Sequence, residues 1–221
     1  SGINVSDLLL KEYKIDRNKL STFYWGFPVE RDVNKPLSEI ILKKEFGVEG
    51  DGFIVFNRGL GALYDPKTVT KIILDLLAKN ELAKIIVFKG FANEQEVSEF
   101  RASVPPNVTI IDRLLTDNEL YSIYERTDVH FSIPKSDALG GGVIEPAILG
   151  AFPILSDLEQ YQEYLNTNEG MLYSELTHED IITIVASGKI KNSKQNNPDD
   201  SFLPNAIISK FLTIYDSLIK K

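Results

Sequence analysis

Apolar residues along the chain fall into short continuous runs, each followed by a segment in which they recur at helical spacing. Phe53-Ile54-Val55-Phe56 is such a run, with the length and composition of a parallel strand buried on both faces. The segment Pro66 to Lys79 that follows it has helical periodicity, with Pro66 placed for the first helical position and Asp65 for the cap. The alternation repeats. Strand Lys84 to Phe88 leads to helix Glu94 to Ala102, strand Val108 to Ile111 to helix Asn118 to Arg126, and strand Val129 to Ile133 to a glycine turn and a helix. Strand Phe152 to Leu155 leads to helix Leu158 to Leu165, and Met171 to Tyr173 to helix His178 to Ser187. Ahead of them, Leu37 to Phe46 reads as an amphipathic helix closed by Gly47. Strands alternating with helices predict an α/β fold, a doubly wound parallel sheet of the Rossmann-like kind. In the common strand order 3-2-1-4-5-6 the direction of winding reverses between the first and fourth strands, and ligands lie at the carboxyl ends there. Those two strands run out at Asn57-Arg58-Gly59 and at Ser136 through Gly142.

The flanks are patterned differently. Val5 to Lys14 is helix-like, Leu20 to Tyr24 reads as a short strand, and residues 1–34 do not resemble the start of a domain. Lys189 to Pro204 is polar and reads as a mobile loop. Ala206 to Lys220 reads as a last helix with Ile207, Phe211, Ile214 and Leu218 on one face.

Composition narrows the function. At 221 residues, 43% hydrophobic and 25% charged, the chain fits one globular domain with extensions. No run approaches the ~20 apolar residues of a membrane span. A net charge of −8 with dispersed acids argues against a nucleic-acid footprint, and no basic membrane-binding face is visible. The absence of cysteine excludes disulfides, thiolate catalysis and thiolate metal sites. With no leader at the start, the cytoplasm is the expected compartment. His130, in a strand, and His178, at a helix start, have no second ligand at metal spacing, so both read as structural and no metal is expected.

The chemistry concentrates between Pro134 and Ile154. Gly140, Gly141 and Gly142 offer a turn in which backbone can approach a ligand closely. Pro146 predicts that a helix starts at once, with Pro146 in its first turn. The amides of Gly141, Gly142 and Val143 would then lie free at the positive end of a helix dipole, a phosphate site. Arg58, at the other switch-point loop, is suited to fork onto phosphate oxygens; its bland reading is a surface salt bridge. Asp137 and Glu145, eight residues apart, flank the glycines. Carboxylates facing a phosphate would repel it, so their natural partners are hydroxyl groups, and phosphates between polyols describe a nucleotide sugar. The competing readings are a loop carboxylate bonded to its own backbone for Asp137 and a dipole-favoured acid for Glu145. Ser136 offers a hydroxyl contact or simply turn chemistry.

This stretch resembles the donor-binding, C-terminal half of GT-B glycosyltransferases, in particular glycosyltransferase family 4. That family carries an acid, seven residues, a Glu, a helix and a G-x-P-V/I strand; here these are Asp137, Glu145 and Gly150-Ala151-Phe152-Pro153-Ile154. Trp25-Gly26-Phe27-Pro28 fits the family's crossing between domains. The resemblance implies residues 1–34 as the end of an acceptor domain, 35–200 as the donor-binding domain, and 201–221 as a helix that either crosses back or packs on its own domain. It further implies diphosphate on Arg58-Gly59 and the amides from Gly140 to Val143, ribose on Glu145, the sugar on Asp137, and the base cradled by Asp112-Arg113-Leu114. The implied reaction is retaining and independent of metal and other cofactors. Its acceptor, a glycan or lipid-linked molecule, would be held by a domain not in this chain, so that the chain alone binds nucleotide but transfers sugar poorly. Three departures stand out. The first acid is Asp where the family usually has Glu. Where the family has a second cation this chain has Leu63 and Tyr64, so that cation is either missing or supplied by Lys67. Glu163, ten residues after Pro153, matches a Glu in many relatives or is a solvated helix-face acid. Two other functions fit the same pattern, a non-catalytic nucleotide-binding or scaffold domain and a nucleotide-sugar epimerase.

Overall fold

The structure, a computed structural model, describes residues 9–17, 37–187, 208–213 and 215. The chain divides into two compact units, Ser1–Val29 with Asp199–Lys221, and Glu30–Pro198. In the first, residues 9–11 are helical and the backbone turns at Lys14 with φ 53, so the helix expected to run to Lys14 ends sooner. Residues 208–213 are helical, inside the last helix that the sequence predicts. The strand expected over 20–24, the Trp25 to Pro28 crossing and the loop 189–204 lie outside the described residues.

The second unit begins with α1 (Glu39–Phe46), whose C-cap Gly47 takes φ 70 and donates its N–H to Lys43 O. That left-handed position is why glycine closes the helix. The alternation then follows as the hydrophobic pattern predicts: β1 (Phe53–Phe56), α2 (Pro66–Lys79), β2 (Lys84–Phe88), α3 (Glu94–Ser103), β3 (Thr109–Ile111), α4 (Asp117–Tyr124), β4 (Thr127–Ser132), α5 (Gly141–Ile148), β5 (Phe152–Leu155), α6 (Glu159–Leu165), β6 (Met171–Leu172) and α7 (His178–Ser187). The β6 run is one residue shorter than expected, because Tyr173 opens a 3-10 turn.

The six strands form one parallel sheet in the order β3-β2-β1-β4-β5-β6, so winding reverses between β1 and β4. Every residue of β1 is buried, as a central strand between two helical layers requires. Ile54 and Phe56 of β1, with Ile85, Val87, Val129, Phe131 and Ile154, join Val69, Ile72 and Ile73 of α2 in one core. Phe56 and Phe131 stack across β1 and β4 at 4.5 Å. α2 contacts α3 and α7, while α4 contacts α5, which lies against β4 and β5.

Candidate functional site

β1 outlasts its apolar run by one residue. The Asn57 amide still donates to Phe131 O at 2.9 Å, and the chain then turns at Arg58, φ 52, a left-handed conformation uncommon for arginine. Gly90, φ 61, packs directly against that turn; a Cβ there would stand 2.8 Å from Arg58 Cβ. The loops after β1 and β2 therefore meet only with glycine at 90. The guanidinium lies over the exposed Phe91 ring, 5.3 Å from its centroid. Among the described residues Arg58 pairs with no carboxylate, which removes the salt-bridge reading. Gly59 is buried, and a Cβ on it would meet Phe56 and Val87 at 3.1 Å, so it serves close packing beneath the loop.

Arg58 lines a cleft of about 280 Å³ at the carboxyl ends of β1, β2 and β3, closed on one side by α4 and the first turns of α5. Of the residues singled out in the sequence, Arg58, Asp112, Arg113, Leu114, Gly142 and Glu145 line it; Gly59, Ser136, Asp137, Gly140, Gly141 and Val143 are not part of its lining. Lys89 lines it too. It is the first polar residue after the apolar run of β2, the position that Asn57 holds on β1, and that placement is the signal that could have found it. Lys67 and Glu163 are exposed and lie away from the lining.

Glu145 is half-buried. Burial, and then the Asp117 carboxylate, push its pKa up, while the Arg58 guanidinium pulls the other way. Its carboxylate accepts no hydrogen bond among the described residues, so it is an acceptor facing a cleft without a donor. Tyr121 and Tyr124 of α4 stand beside it. Burial raises both phenols, Tyr121 to about 12, with Glu145 adding to the effect. Both therefore remain neutral.

The β3 loop is held by α4. Thr116 and Glu119 form a capping box, and Arg113 forks onto Glu119 at 2.7 Å and 3.1 Å, which with the Thr116 bonds lowers the Glu119 carboxyl to about 2. Arg113 also covers the Phe46 ring at 4.8 Å. Its side chain is thus engaged in fixing the loop. Leu114 projects at the rim, 93% exposed. Asp112 meets Arg101 at 3.4 Å, both half in solvent.

The glycine turn corrects two expectations. α5 begins at Gly141 with Gly140 as an extended N-cap, so Pro146 stands sixth in the helix and not in its first turn. A proline there leaves the carbonyl four residues back, Gly142 O, without its helical donor; the side-chain amide of Asn57 donates to that oxygen. Val143 is not among the free amides, because its N–H bonds to Gly140 O at 3.0 Å, as does that of Ile144 at 3.3 Å. The two remaining N–H groups are those of Gly141 and Gly142. The Asp137 carboxylate is not bonded to its own backbone, the competing reading given for it. Its carboxylate accepts from the buried Tyr161 hydroxyl at 2.5 Å, its carbonyl accepts from Gln160 Nε2, and Ser136 is exposed beside it. The two switch-point loops are joined by Lys135 N–H to Leu63 O at 2.7 Å.

Among the described residues no cluster of three or more metal-ligating side chains occurs, and no helix is long and apolar enough to cross a membrane.

No protein-family model and no curated protein sequence matches the chain. Solved structures do, GT-B glycosyltransferases among them. The GtfA/B complex matches with a TM-score of 0.64 at 12% identity, over 78% of this chain and 37% of that one. A mutant of S. aureus TarM, in complex with Fondaparinux, alpha-GlcNAc-glycerol and UDP, matches at 0.57 and 10%, over 80% and 42%. A putative UDP-N-acetylglucosamine 2-epimerase from Listeria monocytogenes matches at 0.54 and 15%, over 85% and 49%. The chain spans less than half the length of each of these structures. The fold is that of one Rossmann-like half of a GT-B protein.

Proposed function

We propose that this chain is the donor-binding part of a glycosyltransferase, holding a nucleoside-diphosphate sugar for transfer to an acceptor on another domain. The observation that carries the reading is Arg58, free of any ion pair among the described residues, in one switch-point cleft with the partnerless, half-buried Glu145. Arg58 and Lys89, with the amides of Gly141 and Gly142, supply positive charge for a diphosphate. Glu145 offers an acceptor to paired hydroxyls, as a ribose presents them, and a ligand donor there would relieve its burial. Leu114 at the rim presents an apolar surface to a base.

Transfer breaks the bond from the anomeric carbon to the diphosphate oxygen and forms one to the acceptor hydroxyl oxygen, with retention, the hydroxyl proton passing to the departing diphosphate oxygen. The cations and helix end stabilise the departing diphosphate, mainly electrostatically, and no metal enters. The chain alone binds donor and transfers little. Calorimetric titration of UDP, GDP and ADP without metal tests this. Micromolar binding of one diphosphate, unchanged by EDTA, is expected; no binding of any of the three overturns it. The likeness to an epimerase favours a second reading, and product analysis with the complementary domain supplied separates sugar transfer from epimerisation.

A further inference from the structure

We infer that Asn57 is a positioning residue, a clasp that sets Arg58 and the free amide end of α5 at a fixed separation. The inference rests on the proposed diphosphate site. Three observations lead to it. Pro146 has no N–H, so Gly142 O lacks its helical donor, and Asn57 Nδ2 supplies the missing bond from β1, 85 residues away in sequence. Asn57 is buried, its backbone N–H is committed to Phe131 O, and its amide stands beside the Tyr124 hydroxyl. Gly142 has no room for a side chain on that side, since a Cβ would stand 2.7 Å from Asn57 Nδ2.

The arrangement therefore joins two things that a helix with an ordinary residue at 146 would leave independent. The backbone bond that should stabilise the second turn of α5 comes instead from the residue adjoining Arg58. A Gly142 carbonyl left without a donor would loosen the first turns of α5, and with them the position of the free amides. Asn57 also lines the cleft; the role inferred for it is exerted through α5 and through Arg58, and the rescue from position 146 separates that role from direct contact with a ligand.

Pro146 makes the inference testable by rescue. Asn57→Ala removes the donor, and Asn57→Asp keeps the size but puts acceptor against acceptor. Both are expected to weaken the diphosphate that binds the wild-type chain, among UDP, GDP and ADP, by about tenfold or more. The matching monophosphate is expected to change less. Amide exchange over residues 141–148 should quicken in both variants without nucleotide. Adding Pro146→Ala returns a backbone N–H facing Gly142 O, so the double variant Asn57→Ala, Pro146→Ala should recover slow exchange and most of the affinity. A general loss of core packing at 57 would not be repaired from 146. Unchanged exchange in Asn57→Ala, or no recovery in the double variant, overturns the inference. If no diphosphate binds the wild-type chain the donor reading fails by itself, and exchange still decides whether the clasp exists.

Discussion

Asp137 and Glu145 flank the same three glycines, yet the fold treats them in opposite ways. Asp137 is held by two neighbouring residues of α6, Gln160 on its carbonyl and Tyr161 on its carboxylate. Glu145 is half-buried, lies near a second carboxylate, and accepts nothing from the described chain. A satisfied acid stabilises a loop; an unsatisfied one awaits donors from elsewhere. On the proposed reading, the contrast puts the ligand's strongest polar demand on Glu145 and leaves Asp137 to shape the loop 133–140.

The largest effect that would break this contrast lies at Glu145. Glu145→Gln is expected to cost roughly 1.5–3 kcal/mol of nucleotide affinity through lost charged hydrogen bonds. It should leave thermal stability equal or higher, since a raised carboxyl pKa means the fold disfavours the charge. Parallel titration and melting measure both, and unchanged affinity would remove Glu145 from the site.

A second partnerless group sharpens the comparison because it faces the core. His130 is fully buried, neither ring nitrogen has a hydrogen-bond partner among the described residues, and burial lowers its pKa to about 3. In the unfolded chain it titrates near 6.5. Between these values the unfolded state binds the extra proton, so stability is complete above about pH 6.5 and falls as pH drops toward 3. The loss from His130 at pH 5 is about 2 kcal/mol. Glu145 works in the opposite direction, favouring the fold as pH falls. Denaturant melts of His130→Leu should show a flattened acid limb with nucleotide affinity unchanged.

The smallest effect concerns Asp137. Tyr161→Phe removes its donor and should lower stability by about 1–2 kcal/mol with little change in diphosphate affinity. A large affinity loss would give Asp137 a ligand role after all.

Much of this architecture was legible beforehand. The bounds of β1, α2 and β2 follow from apolar runs and from Pro66, and the switch point follows from strand alternation alone. Arg58 and Glu145 were readable because each follows a strand or a glycine turn at that point. What escaped were pairings that depend on distant residues. Asn57 meets Gly142 only across the folded sheet, and without that donor a proline at the sixth helical position is unfavourable, which is why Pro146 pointed to a later helix start. The fork of Arg113 onto Glu119, the acid of the α4 capping box, is a second pairing that escaped. Lys89 carries no motif, only a place at the carboxyl end of β2.

The left-handed turn at Arg58 sets two kinds of selection against each other. For a residue with a side chain that conformation costs roughly 1–2 kcal/mol, and a glycine would adopt it freely. A library screened for thermal resistance alone should therefore drift toward Arg58→Gly, while one screened for diphosphate capture should hold arginine. Comparing the two enriched pools would reveal, without any assay of sugar transfer, whether this position is kept for the fold or for its ligand.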